Sequence, residues 1–380
     1  MKILLTGGGT IGSVSPLLAV VEELKIPPKP PLIKGEIEFL WLGTKHGPEE
    51  KLIKEYGIPF QAISSGKIRR YFSWQNFIDP WRIVFGFFEA RGIIKRFRPD
   101  IVLGAGGFVQ VPVIWAASFL GVKSVIHQQD IRPTLSNKLV AGKASQITVS
   151  FAGSLSQFPE RKVVLTGNPV RGEILSGSRE RAKDFFHLED NLPTILVIGG
   201  GTGALTLNEL IIQSLKNFLN FSQVIHLTGR GKGLEGVKGE KQGERDLGKI
   251  VASEAGALGN QRYHSYEFLT TEMKDAYAAA DLVITRAGLS TLSEISVLGK
   301  PAILIPLPGH QEDNALYYQK NNAAVYLKQE SLNPGRLGDT VKSLLDNKEE
   351  LATLGRNIRK MMDGGAAKKM AEVVLQVIKE

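Results

Sequence analysis

A chain of 380 residues, 43% hydrophobic and 22% charged with a mean hydropathy of −0.04, has the makeup of a globular protein, and it excludes a disordered, collagenous or coiled-coil chain. At about 150 residues per domain, two domains are expected. The absence of cysteine excludes disulfide frameworks, thiolate metal sites and a cysteine nucleophile, and the formal charge of +9 calls for an anionic partner without naming it.

Lys2 to Thr6 reads as a short buried strand that runs into Gly7-Gly8-Gly9-Thr10-Ile11-Gly12 and then into a helical pattern from Pro16 to Leu24. These early glycines interrupt the apolar core of about 7–15 residues that a signal peptide needs. The longest apolar stretch, 111–122, contains Pro112 and is shorter than the roughly 20 residues of a spanning helix. A cytoplasmic protein without a transmembrane segment is expected. Pro27-Pro28-Lys29-Pro30-Pro31 reads as a surface loop. Strands are predicted at Ile37 to Leu42, at Ile101 to Leu103 ahead of Gly104-Ala105-Gly106-Gly107, and at Ser124 to Ile126. The pattern restarts at Thr194 to Ile198, with the glycine loop 199–204, a helix from Leu205 to Leu215, and strands at Gln223 to Leu227, Leu282 to Thr285 and Ala302 to Ile305. Strands alternating with helices predict an α/β fold, two Rossmann-like doubly wound domains facing a cleft. The joint is expected between Gly167-Asn168-Pro169 and Asn191-Leu192-Pro193, where turn residues cluster.

Gly7-x-Gly9-x-x-Gly12 has the spacing that brings backbone N–H groups and a helix start to a phosphate. A dinucleotide enzyme also needs an acid at the end of the second strand, but that strand ends Trp41-Leu42-Gly43-Thr44; after the second loop the corresponding end is His226-Leu227-Thr228-Gly229. A dehydrogenase is therefore disfavoured. A phosphate seat and a tight turn for helix packing both remain open. In Arg286-Ala287-Gly288-Leu289-Ser290-Thr291-Leu292-Ser293-Glu294, a helix start after a strand offers Ser290, Thr291 and Ser293 to a diphosphate and Glu294 to a ribose diol. The alternative is a capping box, with Glu294 reaching back to the helix start. Downstream, the loop from Pro306 to Ala315 carries amides and carboxylates suited to sugar hydroxyls.

These residues, in order, resemble the MurG glycosyltransferases, which transfer N-acetylglucosamine from a uridine diphosphate donor to lipid I. The resemblance spans the first glycine loop through Pro16, Leu103 to Phe108, His127-Gln128-Gln129-Asp130, Ser136-Asn137-Lys138, Gly167 to Arg171, Gly199 to Ala204, Glu267-Phe268, Ala287 to Glu294, and His310-Gln311 with Asn314-Ala315. It implies the GT-B type of fold. Residues 1–168 would form an acceptor-binding and membrane-docking domain rejoined by a C-terminal helix 365–380, and 169–364 a donor domain. It places uracil near Phe268 and Leu269, ribose on Glu294, diphosphate on Leu289, Ser290, Thr291, Leu292, Ser293 and Arg171, a further donor contact at Gly201, and sugar hydroxyls on Gln311. The acceptor and its diphosphate fall to Thr10, Ile11, Gly12, Gly106 and Gly107. The chain has no Asp-x-Asp, so no metal and no cofactor are expected.

The departures from the family are specific. Its Gly-Gly-His reads Ile11-Gly12-Ser13 here, which removes the histidine near the acceptor, and serine is no general base at neutral pH. Asp130 stands where the family commonly has asparagine; a relocated base and neutral drift in a polar loop are both open. Gly201-Thr202 replaces the usual Ser-Gln. His127 reads as a structural residue at the end of a buried strand. His46, His187, His226, His264 and His310 lack metal-ligand spacing.

Between Lys67 and Arg98, eight basic and two acidic residues interleave with nine of the 29 aromatics. Phe72, Trp74, Phe77, Trp81 and Phe85, joined by Trp115, suit an interfacial patch on anionic lipid at the inner face of the plasma membrane. In part the rings are also expected as core, since Ile83, Phe87 and Ile94 recur near helical spacing. Nucleic acid is not the expected partner, because no recognition motif accompanies the charge. The alternatives to lipid I transfer are another UDP-sugar enzyme of the same fold, including a UDP-N-acetylglucosamine 2-epimerase, and a non-catalytic membrane-associated binder.

Overall fold

The computed structural model describes residues 1–26, 36–45, 47–66, 75–199, 204–229 and 261–380. The proline loop 27–31, Phe72, Trp74 and Gly201 lie outside them, as do the side chains of Ile11 and Phe77. The chain divides into unit 1, Met1–Arg171 with Asp363–Glu380, and unit 2, Gly172–Met362.

Unit 1 is built on β1 (Lys2–Thr6), β2 (Glu38–Thr44), β3 (Phe60–Ile63), β4 (Ile101–Gly104), β5 (Ser124–Gln128), β6 (Gln146–Val149) and β7 (Val163–Leu165). They form one sheet in the order β3-β2-β1-β4-β5-β6-β7, with every neighbouring pair parallel. Helices cover both faces, so β1 and β4 read as continuous buried runs instead of alternating ones. One face packs Val113, Ile114, Ala116 and Ala117 of the helix Gln110–Phe119 against Val102 and Ile126. The other packs Leu17, Val20 and Val21 of the helix Ser15–Lys25 against Ile3 and Leu5. The C-terminal helix Ala366–Lys379 completes that second face with Met370, Val374 and Val377, and Lys123 Nζ donates to the Val377 carbonyl at 3.0 Å.

Unit 2 has β8 (Thr194–Ile198), β9 (Gln223–Leu227), β10 (Tyr263–Tyr266), β11 (Leu282–Thr285), β12 (Ala302–Leu304) and β13 (Val325–Tyr326), in the order β10-β9-β8-β11-β12-β13 and again parallel throughout. Each fully buried aliphatic side chain in these sheets contributes about 1.5–3 kcal/mol.

In both sheets the strand order reverses once, between β1 and β4 in unit 1 and between β8 and β11 in unit 2. Ligands of open parallel sheets bind outside the carboxyl ends of the strands at such a reversal. In unit 1 those ends carry residues 7–10 and 105–107, and in unit 2 they carry Gly199 and 286–288. The glycine loops of unit 1 singled out in the sequence stand at its reversal point; most of the second-half loop, 200–203, lies outside the described residues.

Candidate active site

In unit 1 the two glycine loops meet backbone to backbone. Gly107 has a φ of +77°, and a Cβ there would lie 2.4 Å from the Gly8 carbonyl oxygen, so this approach admits only glycine. Gly106 is also left-handed, with a φ of +103°. Gly9 and Thr10 form the exposed crest of the first loop, and Gly12 is half-buried. Beneath the crest, the fully buried Trp41 donates its indole N–H to Gly7 O at 3.0 Å. Ser13 is buried, and its hydroxyl is directed to Thr10 O at 2.9 Å and Gly8 O at 3.2 Å. The residue standing at the family histidine's position thus gives its hydroxyl to the loop's own carbonyls.

A buried amide network holds the neighbouring loops. Gln110 accepts from the Gly106 N–H at 3.0 Å and donates to Asn137 Oδ1 at 2.5 Å. Asn137 donates to Gln128 Oε1 at 2.7 Å and to His127 O at 3.1 Å. Gln128 then donates to the carbonyls of Asp130, at 2.7 Å, and Arg132, at 3.0 Å. Gln129 reaches Ala105 O at 2.8 Å. Half-buried Asp130 is therefore carried on a turn fixed from below, at the carboxyl end of β5. His127 is fully buried, with Nδ1 at 2.9 Å from Thr148 Oγ1 and Nε2 at 2.9 Å from Asn168 Oδ1, and burial lowers its pKa to about 4. Arg171, the last residue of this stretch of unit 1, donates to the Tyr56 hydroxyl at 2.9 Å.

In unit 2, the helix Leu289–Leu298 starts at Gly288 without a side-chain cap. Glu294 does not form the capping box: its Oε2 accepts from the hydroxyl of fully buried Tyr277 at 2.8 Å, which aims the carboxylate. Ser290 and Thr291 are half-buried at the helix start. Leu289 and Leu292 are buried, and Ser293, also buried, gives its hydroxyl to Leu289 O at 2.7 Å. The Ser293 hydroxyl expected to meet a diphosphate thus donates within its own helix, and the side chains of Leu289 and Leu292 pack inward. Just before the helix, Ala287 has a φ of +58°, a left-handed conformation of the kind that concentrates at functional sites. Arg286 is 3% exposed, donates to Ile305 O at 3.0 Å and to Gln329 Oε1, and its Nε has no partner among the described residues. Burial lowers its pKa from the ordinary value.

Gln311, in the first turn of the helix His310–Lys320, accepts the Leu307 N–H at 3.0 Å and so holds its own loop. Phe268 is 38% exposed and Leu269 buried, both just after β10. His226 is fully buried between Tyr263 and Asn208, and burial lowers its pKa to about 3.

The aromatic-basic segment resolves into the helix Gln75–Phe97. Ile83 and Ile94 are buried and Phe87 packs on the core, while Trp81, Val84, Phe85 and Phe88 form a stripe between 45% and 66% exposed at helical spacing. Phe119, 68% exposed, extends it, with the Arg91 guanidinium 5.5 Å from its ring. Trp115 is half-buried against the core, and its indole N–H reaches Leu139 O at 3.2 Å. Phe88 and Phe119, which sequence reasoning left out of the patch, are among the most exposed rings of the described residues. Among the described residues no helix is long and apolar enough to cross a membrane.

Residues 3–149 match the model of the glycosyltransferase family 28 N-terminal domain, and residues 194–373 that of the family's C-terminal domain. The chain is 36% identical over 354 residues to the UDP-N-acetylglucosamine–N-acetylmuramyl-(pentapeptide) pyrophosphoryl-undecaprenol N-acetylglucosamine transferase of Lachnospira eligens, covering 92% of each chain. It is 35% identical over 383 residues to the enzyme of the same name from Clostridium botulinum, covering 100% of this chain and 99% of that one. Its fold matches the crystal structure of MurG from Acinetobacter baumannii with a TM-score of 0.72 at 26% identity, over 99% of both chains.

Proposed function

Because this chain belongs to glycosyltransferase family 28, and within it to the MurG group, we propose that it forms lipid II by moving N-acetylglucosamine from UDP-N-acetylglucosamine to the muramyl sugar of lipid I. It is a hexosyltransferase. The observation that carries this reading is likeness to the named transferases over both units, not over one domain alone.

In our reading unit 1 takes the acceptor and unit 2 the donor. The acceptor sugar's 4-hydroxyl attacks the anomeric carbon in line, Asp130 accepts its proton, the new glycosidic bond forms as the bond to the UDP oxygen breaks, and the anomeric configuration inverts. The departing diphosphate gathers negative charge, which the positive end of the helix Leu289–Leu298 and the guanidinium of Arg171 stabilise. Glu294 accepts from the ribose diol, Phe268 and Leu269 flank uracil, and Gln311 reads the sugar. The fixed turn under Asp130 supports it as base, since a general base works only when held within hydrogen-bond reach of the proton. Ser13 is set aside because its hydroxyl braces the loop.

The acceptor's polyprenyl tail needs a membrane-proximal enzyme, and we assign docking on anionic lipid to Trp81, Phe85, Phe88 and Phe119, with Arg91 beside them. Flotation with vesicles containing anionic lipid tests this. Replacing Trp81, Phe85 and Phe88 together by serine should lower partitioning by at least about 100-fold, since each ring buries on the order of 1.5–3 kcal/mol of apolar surface, without changing turnover on a soluble short-chain acceptor.

The decisive assay follows labelled N-acetylglucosamine from its UDP donor to a short-chain lipid I analogue, with and without acceptor, in chelated buffer. Acceptor-dependent product is expected. Donor conversion without acceptor would indicate an epimerase, and binding without transfer a non-catalytic protein.

A further inference from the structure

Glu49 opens the helix Glu49–Glu55 and is fully buried, an expensive place for a carboxylate unless its oxygens are hydrogen-bonded. They are. Oε1 accepts from the Thr44 N–H at 2.8 Å and from Thr44 Oγ1 at 2.5 Å, and Oε2 accepts from the Gly9 N–H at 3.2 Å. Thr44 ends β2 and Gly9 crests the loop after β1, so one side chain ties together the carboxyl ends of two adjacent strands. Glycines bound the space it fills. A Cβ at Gly8 would stand 2.2 Å from Oε1, and one at Gly47 would stand 1.9 Å from Oε2. The same loop is held from its other side by Ser13 and by the approach of Gly107 to Gly8.

We propose that Glu49 is a positioning residue for sugar transfer: it fixes the crest Gly9-Thr10 in the shape that receives the acceptor, without touching the acceptor itself. The proposal rests on unit 1 being the acceptor-binding half. It also revises what the first glycine loop does. Its Gly9 N–H is occupied by a carboxylate and is closed to an incoming diphosphate, so the crest at Thr10 makes the contact.

Glu49→Gln keeps the volume but has one acceptor oxygen for three donors, and its NH2 must oppose a backbone N–H. For a soluble short-chain lipid I analogue, the variant's kcat/KM should fall by about 100-fold, the loss typical of a sub-ångström to ångström misplacement, while the KM for UDP-N-acetylglucosamine stays within about twofold. Exchange of the Gly9 and Thr10 amide hydrogens should speed up. Gly8→Ala, whose Cβ drives the carboxylate out, should reproduce this acceptor-side loss. Combining it with Glu49→Ala should add no further loss, since the two changes act on one contact. Wild-type acceptor kinetics in Glu49→Gln, or equal losses toward donor and acceptor, would overturn the positioning role. A wild-type chain that transfers no sugar overturns the functional reading instead, and this proposal with it.

Discussion

Units 1 and 2 share a topology but secure their reversal points by different means. Beneath the loops of unit 1, Glu49, Ser13, Gln110, Asn137 and Gln128 are all engaged in holding backbone, and what faces outward is mainly main chain at Gly9-Thr10 and Gly106-Gly107. In unit 2 the helix start presents the side chains Ser290, Thr291 and Glu294, set above the buried Arg286 and the left-handed Ala287. A backbone seat recognises shape and charge and tolerates variation in the side chains around it. A seat lined by hydroxyls and a carboxylate recognises particular donors, and a substrate lacking them leaves polar groups unpaired. On the proposed reading, the nucleotide donor of unit 2 is recognised by side chains and the acceptor of unit 1 by the shape of the main chain.

The sharpest way to break this comparison is Asp130→Asn. If the carboxylate of unit 1 takes the proton, kcat should fall by about 10²–10⁴-fold with both KM values little changed. Unchanged turnover would leave unit 1 with no chemistry of its own. Next comes Glu294→Gln in unit 2, which removes charged acceptance from the ribose diol. Donor kcat/KM should drop by about 100-fold, at roughly 1.5–3 kcal/mol per charge-assisted bond, with acceptor KM unmoved. A loss appearing on the acceptor side would erase the proposed division of labour.

Acid should affect the two units over different windows. His127 and His226 are held neutral by burial, with pKa values lowered from 6.5 to about 4 and about 3. As pH falls below 6.5 the unfolded chain binds these protons before the folded chain does, so the stabilisation is complete above that pH and is lost on the way down. The loss ends near pH 4 for unit 1 and near pH 3 for unit 2, on the order of 3 kcal/mol for His127 and 5 kcal/mol for His226. Denaturation midpoints measured from pH 7 to pH 3 check this, and His127→Asn should flatten the upper part of the slope. The smallest effect sharpens the reading of the unit 2 seat. Ser293→Ala should cost about 1 kcal/mol of stability, seen as a lower Tm, and leave donor KM within about twofold, because its hydroxyl serves the helix.

The central strands were legible because β1, β4, β8 and β11 are apolar runs ending in glycine or in a turn, and their loops carry the motifs. The edge strands were not. β13 has two residues, β7 has three, and β10 reads Tyr-His-Ser-Tyr, so none offers a period long enough to recognise. Ser290 and Glu294 could be named as candidates from spacing, since they sit in one local motif, whereas Phe268 was named only through the family resemblance. Glu49 could not, because its three donors come from two strand ends and the carboxylate gains meaning only when β1 and β2 are side by side; the faint local sign was an acid five residues past Thr44 at a helix start. Periodicity foresaw Ile83, Phe87 and Ile94 as core, but it could not show the half-buried packing of Trp115, because the partner of its indole lies 24 residues downstream.

The helix Ala366–Lys379 has one more consequence, in the order in which the molecule is made. It follows unit 2 in the chain yet packs into unit 1, against Ile3, Leu5, Val20, Val21 and Val125. Domains tend to fold as they emerge during synthesis. Here residues 1–171 emerge first with one face of their sheet only partly covered, and unit 2 is complete before the helix that completes that face exists. The unit begun first is finished last, and a chain stopped after Met362 would carry a whole unit 2 and a unit 1 that lacks part of its core.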